Sequence, residues 1–376
     1  TAWSTSQQGL GDARISNATV RVIARVTLPG TAVRIRLDNT FGEGPLAIGR
    51  AFVGERIRGA ALAAGSNHAL TFGGSASTTI AKGDSVWSDP VAMNVRAQQD
   101  LAVSLSVSGT AVRPSQHAAA AVTSYRSADG TGDVAATETA DRFTETTTAL
   151  WWLKAIDVQS PTAAGAVVAF GDSITDGTCS TLDAHDRWED VLSMRFGLDA
   201  RPIAKAMLNE GIGGNTVTRE GLTPAADSPP GLERLDRDVL SHHGVTDVVV
   251  FMGTNDIRRG ATAAAVISGV TTIAQRIKAK GLRVTGVTII PRHNVAPVGT
   301  NTGWNPEKTR IRREVNEWIR TKAPFDQVID FDRVVRDSAD ADLMQPAFNC
   351  GDGIHPSPIG YYEMGKSIDL GLFRKR

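Results

Sequence analysis

The stretch Ala166–Gly177, AVVAFGDSITDG, places a short apolar run directly before a set of glycine and polar residues. Related apolar runs follow at residues 247–253 (DVVVFMG), 282–290 (LRVTGVTII) and 327–331 (QVIDF), with a weaker one at 202–211. Stretches with a helical pattern separate these runs, at residues 185–196, 263–280 and 305–323. Nearly continuous Val and Ile runs that alternate with helices are typical of a parallel sheet covered on both faces. The second part of the chain is therefore predicted to have an α/β fold.

Length and charge narrow the possible functions. A chain of 376 residues is long for a single core, so two domains are expected. Lys plus Arg and Asp plus Glu both number 40, and this balance gives no support for binding nucleic acid or an anionic membrane surface. No apolar run approaches the roughly 20 residues needed to cross a bilayer, so no membrane span is expected.

The first part of the chain has a different pattern. Between residues 19 and 107, short runs rich in Val, Ile, Leu and Thr alternate with polar residues at a period of two and are separated by Gly, Asn, Asp and Pro. This pattern predicts antiparallel strands in a β-sandwich or jelly roll. The polar stretch 124–148 is interpreted as a connection. We expect a β-sandwich domain with its connecting segment at residues 1–160 and a second domain, with the α/β pattern, at residues 161–376.

The tripeptide Gly-Asp-Ser occurs twice, at Ser85 and at Ser173. Ser85 falls between two alternating runs, where this tripeptide is ordinary turn chemistry. Ser173 instead follows an apolar run of the predicted parallel sheet, and ligands bind beyond the carboxyl ends of such strands. Ser173 is therefore the better candidate for a nucleophile.

Three further segments supply partners that a nucleophilic serine needs. In DGIHPS, Asp352 precedes His355 by three residues, so the carboxylate could orient the imidazole as a base. In GTND, Asn255 follows a predicted strand and its amide could donate to an oxyanion. In GIGGNTV, Gly214 could bring a backbone N–H close to a substrate. Taken singly, each segment could equally be a structural turn or loop.

In the order GDSITDG, GIGGNTV, GTND and DGIHPS, these motifs resemble the SGNH hydrolases, also called the GDSL esterase/lipase family. The resemblance extends from about Ala166 to the C-terminus. It implies a flavodoxin-like three-layer α/β/α domain, with Ser173 as nucleophile and His355 as the base that Asp352 orients. It also implies an oxyanion hole formed by the backbone N–H groups of Ser173 and Gly214 with the side chain of Asn255; Gly213 is an alternative to Gly214.

The resemblance implies a serine esterase that works through an acyl-enzyme without a cofactor or metal. Similar two-domain enzymes act on plant polysaccharides, so short-chain acyl or hydroxycinnamoyl esters of carbohydrates are the expected substrates, small or polymeric. Lipid esters are an alternative, as is a carbohydrate-binding protein with a non-catalytic hydrolase domain. A glycosidase would need a carboxylate pair, for which Asp172, Asp176 and Glu210 are candidates, but it would leave the Ser, Asn and His motifs unexplained. Four tryptophans could provide stacking surfaces or pack in the core: Trp151, Trp152, Trp188 and Trp304.

The chain has two cysteines, and both flank the motifs. Cys179 follows the Ser173 motif, and Cys350 precedes the motif with Asp352 and His355. If the serine and histidine are hydrogen-bonded, the two sulfurs lie on neighbouring loops, so a disulfide is plausible. Two free buried thiols are the alternative. A disulfide would indicate an oxidising, extracellular location, and we therefore expect a secreted protein.

Overall fold

The computed structural model describes residues 1–294 and 303–374. The chain divides into two compact units, Thr1–Ala163 and Ala164–Arg376. The first unit is rich in β-structure, as predicted. Among the described residues, no helix is long and apolar enough to span a membrane.

The first unit is built of antiparallel strands. They are β1 (Trp3–Ser4), β2 (Gly9–Leu10), β3 (Ala18–Val26), β4 (Gly30–Asp38), β5 (Leu46–Arg58), β6 (Ala61–Leu62), β7 (His68–Leu70), β8 (Thr78–Ile80), β9 (Ser85–Trp87), β10 (Val91–Val95), β11 (Gln99–Ser108), β12 (Ser115–His117), β13 (Ser124–Arg126), β14 (Glu145–Thr147), β15 (Leu150–Trp151) and β16 (Leu153–Val158). One sheet has the order β14-β13-β3-β11-β5-β6, with β7 and β8 also on β5. A second has the order β1-β16-β4-β10, with β9 on β4, and β15-β12-β2 form a third.

The sequence suggested that the segment 124–148 is a connection. The segment also contains two strands, β13 and β14. Its backbone also helps to satisfy a buried cation. Arg21 on β3 is fully buried, and its guanidinium donates to the carbonyl of Thr137 and lies 3.9 Å from the centre of the Phe143 ring. A buried charge needs such partners, which the composition of a polar stretch does not reveal.

The tripeptide around Ser85 suggested a turn, but Ser85 lies in a strand. It begins β9 and pairs with Asp38 of β4. Its hydroxyl accepts hydrogen bonds from Nε and Nη2 of Arg36, at 3.1 and 2.9 Å. Ser85 therefore has a structural role in the first unit.

The second unit alternates strands and helices. They are β17 (Gly165–Gly171), α1 (Ser173–Asp176), α2 (Trp188–Leu198), β18 (Lys205–Gly211), α3 (Gly231–Leu235), β19 (Val245–Phe251), α4 (Thr254–Arg258), α5 (Ala263–Lys278), β20 (Arg283–Val287), α6 (Pro306–Thr321), β21 (Gln327–Ile329), α7 (Phe331–Val335) and α8 (Pro358–Ser367), with a π-helix at Asp236–Leu240 and 3₁₀ turns at Pro346–Phe348 and Leu370–Phe373. The strands pair in parallel in the order β18-β17-β19-β20-β21.

Both faces of β17, the strand that precedes Ser173, are buried. Val167 and Ala169 of β17 belong to one core cluster with Trp188 of α2 and Phe331 of α7. The alternate residues of β17 are equally buried, and on their side the guanidinium of Arg234, from α3, lies 4.2 Å from the centre of the Phe170 ring. Successive side chains of a strand point to opposite faces, so the continuous apolar run of β17 follows from burial on both.

The four tryptophans considered as stacking surfaces are at most 5% exposed: Trp151, Trp152, Trp188 and Trp304. They pack inside their units, so none of them presents a broad exposed ring to a sugar.

In the second unit, β18 is added to one side of β17 and β19 to the other, so the order of strand addition reverses between β17 and β19. The carboxyl ends of these two strands open a crevice where ligands bind in such sheets.

Candidate active site

Ser173 stands immediately beyond β17, as the first residue of the short helix α1. A Cβ at Gly171 would lie 2.1 Å from Oγ1 of Thr175, so the tight exit from the strand requires glycine there. Asp172 caps α1 by accepting a hydrogen bond from the backbone N–H of Ile174 at 3.0 Å. This turn fixes the Ser173 hydroxyl at the edge of the sheet.

The structure brings Ser173, His355 and Asp352 together. Oγ of Ser173 lies 2.8 Å from Nε2 of His355, and Nδ1 of His355 lies 2.5 Å from Oδ2 of Asp352. The other oxygen of Asp352 accepts hydrogen bonds from the backbone N–H groups of Ile354 (2.7 Å) and His355 (2.8 Å). The carboxylate therefore fixes both the backbone and the ring of the histidine.

The charge state of Asp352 suits this role. Its partial burial would raise the pKa, but the hydrogen bonds and positive charge of His355, together with the two backbone donors, outweigh burial and lower the pKa to about 2. Asp352 is therefore ionised at any ordinary pH and can hold the proton of the imidazole on Nδ1.

The groups expected to form the oxyanion hole differ in what already binds them. The N–H of Gly213 donates to Oδ2 of Asp176 at 3.0 Å, so it is occupied. Within residues 1–294 and 303–374, no hydrogen-bond acceptor is found for the N–H of Gly214 or of Ser173. Gly214 has a φ of +70°, a conformation that favours glycine. Of the two glycines, Gly214 is the one with a donor to offer.

Asn255 links two of the loops. It lies in α4, directly beyond β19, and its amide nitrogen donates to the carbonyl of Asn215 at 3.1 Å. The side chain is 5% exposed, and one of its two amide hydrogens makes this bond. The amide thus lies against the loop that carries Gly214.

Asp256 is a site residue that the sequence analysis did not single out. Its carboxylate accepts hydrogen bonds from the backbone N–H groups of Val217 (2.9 and 3.0 Å) and Thr218 (3.2 Å). Burial raises its pKa to about 7, despite these backbone donors. The sequence feature that could have identified Asp256 is its position in the GTND motif, directly after Asn255. Both residues contact the same neighbouring loop.

The carboxylates considered for a glycosidase serve other contacts. Asp172 caps α1 and is buried, which raises its pKa to about 6. Asp176 accepts from Gly213, and Glu210 lies 2.6 Å from Nε2 of the buried His242. These contacts explain the three side chains as parts of the scaffold around Ser173.

Cys179 and Cys350 form a disulfide, with their Cα atoms 6.3 Å apart. The bridge joins the loop after α1 to the loop that carries His355. In the described part of the chain, one group of potential metal ligands lies within 4.8 Å of one another: Cys179, Asp352 and His355. Because the sulfur is bonded to another sulfur, it offers no thiolate to a metal ion.

A known protein family matches the part of the chain that holds these residues. The family model described as GDSL-like Lipase/Acylhydrolase matches residues 169–362, a range that contains every residue of the site. No curated protein matches the chain.

Solved structures with similar folds include a GDSL-like lipase from Bacteroides thetaiotaomicron (19% identity, 54% of this chain, 84% of the other, TM-score 0.40). They also include a member of the lipolytic protein G-D-S-L family from Veillonella parvula (19%, 54%, 94%, 0.38) and the psychrotrophic esterase EstA from Pseudoalteromonas sp. (18%, 54%, 93%, 0.38). The family match itself spans more than half of the sequence. This chain therefore belongs to the GDSL-like lipase/acylhydrolase family, the SGNH hydrolases, and is a carboxylic ester hydrolase.

Proposed function

We propose that the protein is a serine esterase in which Ser173 is the nucleophile, His355 the general base and Asp352 the residue that orients it. The observation that carries this proposal is the continuous hydrogen-bond chain from Oγ of Ser173 through both nitrogens of His355 to Asp352. A serine hydroxyl becomes nucleophilic at neutral pH when an adjacent base accepts its proton.

In this mechanism, Oγ of Ser173 attacks the ester carbonyl while its proton passes to Nε2 of His355. The N–H groups of Ser173 and Gly214 and the amide of Asn255 stabilise the oxyanion that forms. The imidazolium then protonates the leaving alcohol, and an acyl-enzyme remains. Water attacks the acyl group with His355 again as base, which releases the acid and restores Ser173. Throughout, the ionised Asp352 balances the charge of the imidazolium.

For the substrate, we favour short-chain acyl or hydroxycinnamoyl esters of carbohydrates, in small molecules or polysaccharides. The support is the two-domain architecture, with a β-rich unit before the hydrolase domain. In this proposal, residues 1–160 form a jelly-roll-like accessory sandwich and residues 161–376 a flavodoxin-like three-layer catalytic domain, and the disulfide indicates secretion. Lipid esters are a second substrate class to test. A binding protein with an inactive hydrolase domain is disfavoured by the assembled Ser173, His355 and Asp352.

The nucleophile is tested by the Ser173→Ala variant, with 4-nitrophenyl acetate as substrate. Loss of a nucleophile that acts as a unit with its base lowers kcat by on the order of 10⁴-fold or more. The matched control is Ser85→Ala, which removes the other Gly-Asp-Ser hydroxyl from the first unit and leaves kcat within about twofold.

Mass spectrometry after treatment with a serine-directed phosphonate identifies the labelled residue independently. Label on Ser173 is expected; label elsewhere, or full activity of Ser173→Ala, contradicts the assignment. Acetylated xylan, feruloylated oligosaccharides and 4-nitrophenyl esters of increasing chain length then rank the substrate classes. Fastest turnover of the longest acyl chains would favour the lipid alternative.

A further inference from the structure

One sulfur of the disulfide lies against the two residues that the proposed mechanism uses as base and orienting group. In the part of the chain that the structure describes, Cys179, Asp352 and His355 each offer one ligand atom within 4.8 Å of the other two. The disulfide with Cys350 occupies this sulfur. Once that bond is broken, the thiolate of Cys179 is close enough to act together with the imidazole and the carboxylate.

The disulfide is accessible to a reductant. Cys179 and Cys350 are both exposed, as is Asp352, and His355 is partly exposed. Exposed disulfides are among the labile ones, because an attacking thiolate must reach one of the two sulfurs. A dithiol such as dithiothreitol attacks one sulfur, forms a mixed disulfide and then closes into its own cyclic disulfide. The reductant thereby loses two electrons and two protons, and both cysteines become thiols.

The backbone beside Cys179 is anchored by hydrogen bonds as well as by the disulfide. The preceding residue, Thr178, donates its N–H to the carbonyl of Ser173 at 3.0 Å. The carbonyl of Thr178 accepts a hydrogen bond from the hydroxyl of Tyr361 at 2.7 Å. Tyr361 is fully buried on α8, six residues after His355. Reduction therefore releases the side chain of Cys179 while the main chain next to it stays attached to both sides of the site.

The loop of the base also has hydrogen bonds of its own. The carbonyl of His355 accepts from the N–H of Cys350 and from Nδ2 of Asn349, both at 3.1 Å. The N–H of His355 donates to Oδ1 of Asp352 at 2.8 Å. These contacts do not involve the sulfurs, so the carboxylate and the imidazole stay paired within their loop when the disulfide is reduced.

The three side chains form a set of ligands that suits Zn²⁺. Zinc binds thiolate, imidazole and carboxylate at about 2.0–2.3 Å, so two ligand atoms of a tetrahedral ion lie about 3.3–3.8 Å apart. The ligand atoms of Cys179, Asp352 and His355 need shifts of roughly 1 Å to reach this geometry. Water completes the fourth position, and the thiol loses its proton when the metal binds.

A zinc ion at this position removes the base. A neutral imidazole has one nitrogen that carries a proton and one that carries a lone pair. Whichever nitrogen of His355 binds the metal, the other keeps the proton. Neither nitrogen can then accept the proton of the Ser173 hydroxyl, and Asp352 is bound to the metal as well.

We propose that reduction of the disulfide creates a zinc site at Cys179, Asp352 and His355, and that the bound ion inhibits the enzyme. The inhibition rests on the proposed function, because it requires His355 as the general base, whereas the binding of zinc does not. Reduction and zinc act only together. The oxidised protein has no thiolate to offer, and the reduced protein without zinc keeps the lone pair of its base.

Two single variants separate the site from the loss of the disulfide. Cys350→Ser leaves Cys179 as a free thiol without any reductant, and Cys179→Ser is the matched control, which breaks the same bridge but removes the sulfur of the site. Each variant is compared with its own zinc-free rate on 4-nitrophenyl acetate, so a change in kcat from the lost bridge cancels. Zinc should inhibit Cys350→Ser at least about tenfold more strongly, since even indirect partners of a zinc site change metal affinity about 10- to 100-fold. EDTA should restore the activity.

Metal content is measured independently of activity, by elemental analysis after removal of free zinc. Equimolar zinc is expected in Cys350→Ser and in reduced wild-type protein, and much less in Cys179→Ser and in oxidised wild-type protein. With Co²⁺ in place of zinc, Cys350→Ser should show the charge-transfer absorption of a cobalt–thiolate bond.

Equal zinc content of the two variants would overturn the site. Zinc bound to Cys350→Ser without inhibition, while its hydrolysis still depends on Ser173, would overturn the inhibition. If zinc binds as expected but oxidised, zinc-free wild-type protein hydrolyses no ester, the failure belongs to the proposed function and the zinc site stands.

Discussion

The side-chain amide of Asn255 has two hydrogens, and one already binds the carbonyl of Asn215 at 3.1 Å. This bond fixes the rotation of the amide before any substrate arrives. The second hydrogen can then be offered to an oxyanion without reorganisation, which is the condition under which a single donor contributes most. The proposed role of Asn255 therefore depends on a contact that is itself structural.

Asn255→Ala is expected to lower kcat by about 10²- to 10³-fold with little change in KM, because the donor acts on charge that appears only in the transition state. Asn255→Asp should be more severe, since it puts a negative charge where the oxyanion forms. Steady-state kinetics with 4-nitrophenyl acetate provides the measurement, and unchanged melting temperatures would show that the variants fold. A near-normal kcat for Asn255→Ala would assign the residue a structural role alone.

Helix α4 has only five residues but holds the neighbouring loop at two points. Asn255 donates to the carbonyl of Asn215, and Asp256 accepts from the backbone N–H groups of Val217 and Thr218. The position of α4 after β19 thus places the donors of the neighbouring loop as well as its own.

Asp256 is a positioning residue in this interpretation, so its loss should change the reaction rate rather than substrate binding. Asp256→Ala is expected to lower kcat about tenfold or more, with KM little changed, and to reduce the free energy of unfolding by about 1–3 kcal/mol because two backbone donors lose their acceptor. Asp256→Asn keeps one acceptor oxygen and should recover part of kcat. Equal kcat for wild-type, Ala and Asn proteins would exclude this role.

The sequence predicts elements that follow from a local pattern, but it does not show contacts with distant partners. The apolar run of β17 is such a pattern. The neighbouring strand β18 (Lys205–Gly211) lies within the weaker run at residues 202–211, but that run does not show that Asn209 binds the carbonyl of Thr175 or that Glu210 lies against His242. Such polar residues are buried by contacts that no local pattern shows.

The same reason explains what could be predicted of the site. Ser173, Asp352, His355 and Asn255 stand in short motifs with recognisable chemistry. The choice between Gly213 and Gly214 depended on Asp176, whose carboxylate occupies one of the two N–H groups.

The site joins residues from near the two ends of the second unit, Ala164–Arg376. Ser173 and His355 are 182 positions apart, and the disulfide between Cys179 and Cys350 spans 171. Cys350 also donates its backbone N–H to the carbonyl of His355 at 3.1 Å, so the bridge is attached directly to the loop of the base. The disulfide therefore ties the two loops whose separation sets the Ser173–His355 distance.

Removal of this bridge should affect both stability and turnover. A cross-link over 171 residues stabilises by about 5 kcal/mol in the chain-entropy model, since it restricts the unfolded chain. Cys179→Ser/Cys350→Ser should therefore melt well below the wild-type protein, and its kcat should fall more than its KM rises. Thiol titration of denatured, unreduced wild-type protein should find no reactive thiol. Two reactive thiols, or a double variant with wild-type melting temperature and kcat, would show that the bridge does not hold the catalytic loops.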